Sequence, residues 1–301
     1  MYDIIIIGGG PAGLTAATYA RRAGKQVLVI EKNAFGGQIT WSPRVENFPG
    51  FLSVSGVELG DKLLEQAMEQ GAGTELEEVT GLCRTDSGFA VRCESGAVFE
   101  GRSVILATGA KPRMLGVERE EELVGSGVCY CAVCDGAFYA GRDVAVCGGG
   151  NSALQDALLL SESCSRVYLV HRRSSFRGEQ KLVDALRERE NVEFVLDARV
   201  KALVGEDEIS GLLVEQNGTE RELPVEGIFV AIGHQPDHSA FADYLTLDAA
   251  GYAASGEDCR TVTDGLFVAG DCRAKTVRQL TTAAADGAVA ALAACAYLDR
   301  G

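Results

Sequence analysis

The sequence predicts an α/β chain of two Rossmann-like dinucleotide-binding domains, the second inserted into the first. Three observations predict it. A glycine fingerprint, Gly8-x-Gly10-x-x-Gly13, joins an apolar strand to a small-residue helix at the start of the chain. The same strand, glycine turn, helix and strand return 140 residues later around Gly148-x-Gly150-x-x-Ala153. The chain then ends with one strand and one alanine-rich helix, too little to bury a core alone. That last segment is therefore expected to rejoin the first domain, which places residues 1–111 and 238–301 in one domain and 112–237 in the other.

The elements follow in order. Ile4 to Ile7 is a fully apolar strand, the glycine turn leads into a helix ending near Gly24, and QVLVIE is a second strand, which completes a βαβ unit. Gly56 to Ala72 has the spacing of an amphipathic helix. GTELEEVTGLCR, GFAVRCE and GAVFEGRSVILATG read as strands separated by turns. Lys111-Pro112 marks a junction, and GRDVAVCGGGNSALQDALLLSESCSRVYLVHRR repeats the opening. KLVDALRERE reads as a helix, followed by three strand-like runs, VEFVLDARVKALVG, EISGLLVEQ and TERELPVEGIFVAIG. Gly233 to Pro236 marks a second junction, LFVAGDCR a strand running into a charged turn, and Val277 to Leu298 a long helix.

Composition narrows the class. A length of 301 residues suits two or three domains, and 47% hydrophobic with 24% charged residues is that of a globular protein with a sizeable core. A net charge of −15 disfavours loose attraction to nucleic acid or to an anionic membrane. Met1 leads straight into IIIIGGG with no basic region or cleavage site, so no signal peptide is expected and the location is read as cytoplasmic. The apolar stretch Ala283 to Leu298 is interrupted by Asp286 and reads as a buried helix rather than a membrane span. Ten cysteines in a chain this long do not make a secreted disulfide scaffold, and Cys147, Cys164 and Cys295, in apolar contexts, read as buried small hydrophobes.

In the first fingerprint, Gly8 makes the tight turn, Gly10 lets a pyrophosphate approach the backbone, and Gly13 lets helix and strand pack closely. The helix N-terminus offers amide donors to the phosphates, and Glu31 would accept from a ribose hydroxyl. In the second, Gly148, Gly150 and Ala153 take these places. Glu31 stands 18 residues after Gly13, and 18 residues after Ala153 stands His171, followed by Arg172, Arg173 and Arg177. Cations in place of the acid favour a 2′-phosphate, so the second site is expected to prefer NADPH, which leaves the Glu31 site for FAD.

Cys131 and Cys134 form a CxxC pair with Asp135 directly behind it. Metal ligation usually needs four ligands; Cys129 is badly spaced, no second CxxC exists, and His171, His234 and His238 show no ligand spacing. No metal is therefore expected. A static disulfide does not suit a cytoplasmic chain. A redox dithiol remains the favoured reading, with Asp135 as proton donor or acceptor. Cys129 reads as a packing residue; the exposure of Cys272 is not legible.

The motifs GGGPAG (Gly8 to Gly13), GGQ (Gly36 to Gln38), VENFPG (Val45 to Gly50), ATGA (Ala107 to Ala110), CAVCDG (Cys131 to Gly136), GGGNSA (Gly148 to Ala153), HRR (His171 to Arg173) and GDCRAKTVRQL (Gly270 to Leu280) occur in that order. Together they resemble the bacterial-type low-molecular-weight thioredoxin reductases, the class II pyridine nucleotide-disulfide oxidoreductases, from end to end. The resemblance implies an FAD domain holding Gly8, Gly10, Gly13, Glu31, Gln38, Asn47, Asp271 and Gln279, and an NADPH domain gripping the 2′-phosphate with Arg172, Arg173 and Arg177. It implies that Cys134 is the thiol nearer the flavin, that Cys131 attacks the disulfide of thioredoxin or a glutaredoxin-like protein, and that Asp135 is the general acid. It further implies a homodimer whose domains rotate between half-reactions. Two departures stand out: Ser174 follows HRR where many relatives have a carboxylate, and Gln155-Asp156 replaces a pair of glutamates.

Overall fold

The structure, a computed structural model, describes residues 1–300. The chain divides into two compact units: residues 1–111 with 235–301, and residues 112–234. Both are α/β with Rossmann-like parallel sheets.

In the first unit the parallel sheet runs in the order Gly73–Leu76, Val27–Glu31, Tyr2–Ile7, Val98–Leu106, Leu266–Val268. Ile5 pairs with Leu28 on one side and with Val104 on the other. Alternate residues of each strand feed two cores. Ile4, Ile6, Val27 and Val29 pack under the helices Pro11–Arg22 and Leu280–Leu298. Ile5, Ile7, Leu28 and Ile30 pack on the opposite face with Phe89, Val91 and Phe241. Burial on both faces is why these strands read as unbroken apolar runs. The strand Val98–Leu106 forks: its first half pairs antiparallel with Gly88–Cys93, which in turn pairs with Val79–Thr85.

The helix Leu280–Leu298 is long and apolar enough to cross a membrane by length and composition. Its small residues have another use here. A Cβ at Gly287 would overlap the Ala12 carbonyl, so the two helices touch backbone to backbone, and Ala290, Ala291 and Ala294 are fully buried.

The second unit repeats the plan. Its parallel sheet runs Val192–Val195, Arg166–Val170, Asp143–Gly148, Gly227–Ala231, Val128–Cys129. Val144, Val146, Val167 and Leu169 face the helices Asn151–Ser161 and Gln180–Arg187; Ala145, Cys147, Tyr168 and Val170 face the other core. That second core is closed by the antiparallel strands Ala198–Val204, Gly211–Gln216 and Thr219–Leu223.

Three runs read as single strands are each two. The first breaks between Leu76 and Val79; the second breaks at Leu196-Asp197, where Asp197 has φ +51°; the third breaks at Pro224, which has no N–H to give a ladder. The long helix starts at Leu280 rather than Val277, because Gln279 caps it: the Gln279 side chain accepts from the Thr282 N–H while the Thr282 side chain accepts from the Gln279 N–H. The return connection falls at His234–Gln235, ahead of the 237/238 boundary read in the sequence. Gln235 and Asp237 line a cavity of the first unit, which is where they belong.

Candidate active site

The first glycine turn is built for backbone approach. Gly8 has φ +111°, and a Cβ there would overlap the Ala107 carbonyl. No other residue fits both demands. A Cβ at Gly13 would overlap the Gly8 carbonyl, so this glycine lets the helix Pro11–Arg22 sit against the strand. Gly10 caps that helix with Pro11 at its first position. In front of the turn lies a cavity of about 710 Å³, lined among others by Gly8, Gly10, Glu31, Gln38, Asp271 and Gln279. Gly13 and Asn47 are not on its wall. Gly13 acts through packing. Asn47 reaches the cavity only through Gln279, whose Oε1 accepts from its Nδ2 at 3.4 Å.

Glu31 does two things. Its Oε2 accepts from the Gly9 N–H at 2.7 Å and its Oε1 accepts from the Asn33 N–H at 3.0 Å, which fixes the carboxylate at the cavity edge. Each oxygen keeps a further lone pair for a hydroxyl donor. Gln38 donates from Nε2 to the Ala110 carbonyl at 3.0 Å. A dinucleotide fits this chemistry: a glycine-cleared helix N-terminus for phosphate, and a fixed carboxylate for ribose. Sequence reasoning missed Asp237 and Ser239 on the same wall. The Ser239 hydroxyl donates to Asp237 Oδ1 at 2.7 Å, and that bond above all holds the Asp237 carboxyl below its usual range. No motif announces this pair, because it follows the return connection and meets the cavity only in three dimensions.

The second glycine turn copies the first. A Cβ at Gly148 would overlap the Ala231 carbonyl, and Gly150 caps the helix Asn151–Ser161 with open space around it. Ala153 stands where Gly13 stands. The Arg177 N–H donates to the Gly149 carbonyl at 2.8 Å, as the Gly36 N–H donates to the Gly9 carbonyl at 2.8 Å. His171 takes the place of Glu31 but not its exposure. It is buried, its ring lies over Gly149, and it stacks on Phe176 with centroids 5.3 Å apart. Burial, reinforced by Arg177, Arg172 and Arg173, pushes its pKa below the ordinary histidine value. His171 is therefore neutral near pH 7. The cationic character of this edge belongs to the three exposed arginines alone, which corrects the reading of His171 as a fourth cation. In the helix behind, burial pushes the Asp156 carboxyl up to about 6.

The cysteine pair sits at the end of the strand Val128–Cys129. Cys131 caps the short helix Ala132–Asp135, and its Sγ accepts from the Cys134 N–H at 3.2 Å. The two sulfurs are joined in a disulfide with a Cα–Cα separation of 5.3 Å, an ordinary span for such a bond. Once reduced, Cys131 would keep that N–H donor, which favours the thiolate. Asp135 lies close enough to Cys129 and Tyr139 for its charge to raise both of their pKa values. A buried carboxylate missed in the sequence braces the loop from the other side: Glu120 accepts from the Leu115 and Gly116 N–H groups at 2.8 and 2.9 Å and from the Tyr130 hydroxyl at 3.1 Å.

Cys129 is a third thiol beside the pair, and chemistry separates it. It is buried, its Sγ donates to the Tyr139 hydroxyl oxygen at 3.5 Å, and burial with the Asp135 charge pushes its pKa up to about 12. At pH 8 its thiolate fraction is then on the order of 10⁻⁴. After reduction and brief treatment with iodoacetamide at pH 8, mass spectrometry is expected to find Cys131 and Cys134 alkylated and Cys129 unmodified. Comparable labelling of Cys129 would contradict its assignment as an inert core thiol. Cys272 is likewise fully buried, and burial raises its pKa too.

A strand–glycine–helix cradle beside a cavity, its repeat with arginines, and a CxxC disulfide are the parts of a pyridine nucleotide-disulphide oxidoreductase, and the sequence model of that family matches residues 2–287. Among curated relatives, a thioredoxin reductase of Listeria monocytogenes is 41% identical over 99% of this chain and 94% of its own length. A thioredoxin reductase of Treponema pallidum is 40% identical over 99% of this chain and 97% of its own. The crystal structure of a thioredoxin reductase from Streptococcus pyogenes superposes with a TM-score of 0.94 at 38% identity, covering 100% of this chain and 99% of that one. The chain belongs to the low-molecular-weight, bacterial-type thioredoxin reductase family.

Proposed function

We propose that this protein carries electrons from NADPH through FAD and the Cys131/Cys134 couple to the disulfide of thioredoxin or a similar small redox protein. The observation that carries the reading is the Cys131–Cys134 disulfide, formed across a helix cap, in a chain that holds two dinucleotide cradles of different charge. FAD, when bound, accepts a hydride from the nicotinamide and passes an electron pair to a disulfide. The chain's residues do the rest. Gly8, Gly10 and Gly13 admit the FAD pyrophosphate, Glu31 its adenosine ribose, and Gln38, Asn47, Asp271 and Gln279 the remainder. Gly148, Gly150 and Ala153 admit NADPH; Arg172, Arg173 and Arg177 hold its 2′-phosphate, and His171, neutral, walls the turn.

The reduced Cys131 thiolate attacks the partner's disulfide and releases one partner thiolate, which Asp135 protonates. Cys134 then displaces the second partner sulfur and closes the Cys131–Cys134 bond. The thioredoxin-disulfide reductase acts in the cytoplasm as a homodimer, with residues 1–111 and 235–301 forming the FAD domain and 112–234 an inserted NADPH domain. The domains rotate about the two connections so that nicotinamide and dithiol take turns at the flavin, because hydride transfer needs near contact.

The test is anaerobic. NADPH is expected to bleach the yellow protein, and the bleached protein to reduce DTNB (a small disulfide) rapidly only when thioredoxin is added. Bleaching without reduction of any thioredoxin or glutaredoxin-like protein would reject the thiol-transfer reading and leave a flavin-binding sensor or a reductase of another acceptor.

A further inference from the structure

Asp286 is the only charged residue in the helix Leu280–Leu298. Its side chain is 13% exposed. An alanine would suit that helix better, so the carboxylate needs a reason.

Its contacts point one way. Oδ1 accepts from Arg273 Nη1 at 2.7 Å. Oδ2 accepts from Lys275 Nζ at 2.9 Å and from the Gly270 N–H at 3.1 Å. Arg273 is held in turn by Ser255 Oγ and the Gly256 carbonyl, both at 2.9 Å. Lys275, 10% exposed, also stands 3.5 Å from Asp271 Oδ1 and 3.3 Å from Thr282 Oγ1. Two cations and two carboxylates interlock, and the cluster is formally neutral. Gly270 has φ +77° and lies against Ala12, so the Asp286 carboxylate pins a turn that only glycine makes easily. That turn aims Asp271 at the cavity, while Lys275 stays off the cavity wall, behind it.

A carboxylate beside a pyrophosphate is repelled unless a cation balances it, and a nearly buried cation is screened little by solvent. We propose that Asp286 and Lys275 are positioning residues of the cofactor seat: Asp286 fixes the Gly270 turn, and Lys275 neutralises Asp271 from behind so that a carboxylate can face an anionic dinucleotide. This rests on reading the cavity as the FAD site.

The experiment follows FAD leaving the holoprotein after dilution, as the rise of free-flavin fluorescence, with circular dichroism to check folding. Lys275→Met is expected to release FAD at least ~30-fold faster, as removal of one partner from a buried charge pair does. Lys275→Arg keeps the charge and is expected to stay within about threefold of wild type, since only the geometry of the cation changes. Asp271→Asn with Lys275→Met leaves Arg273 and Asp286 balanced, so the pair is expected to release no faster than Asp271→Asn alone. A merely structural Lys275 would instead multiply the rate equally in both backgrounds, and that result overturns the proposal. If Asp271→Asn holds FAD as wild type does, the assignment of Asp271 to the cofactor fails. If Asp271→Asn releases FAD quickly and Lys275→Met does not, the site reading stands and the charge-balanced seat falls. Should Lys275→Met not fold, the double variant decides: folded and equal to Asp271→Asn supports the seat, and unfolded overturns it.

Discussion

A Cys134→Ser protein is expected to fold, to keep its yellow cofactor and to bleach with NADPH, yet to lose thioredoxin reduction by on the order of 10³-fold or more, the scale of removing a residue that makes and breaks covalent bonds. Two arguments separate the loss of activity from loss of structure. The first is the loop. The disulfide spans a sequence separation of only three, so the loop-entropy account gives it about 2 kcal/mol, near the low end for such bonds. The working protein must also spend part of every cycle with the bond open, so the fold cannot depend on it. The second is the local frame. The Asp135 N–H bonds the Cys131 carbonyl at 3.0 Å, and the Cys134 N–H bonds that carbonyl and the Cys131 sulfur, all through backbone donors that serine retains. Serine cannot form a bond to sulfur, so a partner captured by Cys131 cannot be released by its neighbour. The variant is therefore also expected to trap thioredoxin as a mixed disulfide, visible as a heavier band on non-reducing gels. Normal turnover by a folded, yellow Cys134→Ser protein would refute transfer through this pair.

What was legible in the sequence was local. The glycine turns are readable because strand, turn and helix are contiguous, and because the residue types they demand are rare elsewhere: Gly8 needs both a positive φ and an absent Cβ. The repeat was readable because Phe176, His171 and Gly149 stack as Phe35, Glu31 and Gly9 do, so the spacing is preserved. The CxxC pair carries its own geometry. What escaped was decided across distance. Asp237 reaches the cavity after a detour through another unit, and Glu120 finds Tyr130 through the loop that brings it back under the cysteines. Asp286 was visible as an interruption of an apolar run, but its partners Arg273 and Lys275 lie before the helix begins, so periodicity along the helix could not show them. His171 was misread for the same reason. Its neighbours in sequence are three arginines, whereas its neighbours in space are an aromatic ring and a glycine turn.

That difference sets up the second prediction. Replacing Arg172 and Arg173 by alanine is expected to raise the KM for NADPH about 30-fold and that for NADH less than about threefold, with kcat for either nucleotide nearly unchanged. Each charge-assisted bond to a phosphate contributes about 1.5–3 kcal/mol when sheltered. Both arginines are exposed, so solvent and salt reduce that figure, and 30-fold for the pair reflects the reduction. The selectivity follows from the single difference between the nucleotides, because NADH has a 2′-hydroxyl where NADPH has the phosphate. Raising the ionic strength is expected to weaken NADPH binding to the wild type and to leave the double variant almost indifferent. The pH dependence carries further information. The group at the acid position is a histidine whose pKa is lowered, so it is uncharged throughout the range above neutrality and releases no proton there. Arginine holds its charge over the same range. The NADPH preference is therefore expected to stay level from about pH 7 to 8.5, once the phosphate itself is fully ionised. A preference that fell across that interval would mean a titrating histidine supplies part of the grip. Equal damage to both nucleotides would mean that Arg172 and Arg173 shape the domain rather than read the phosphate.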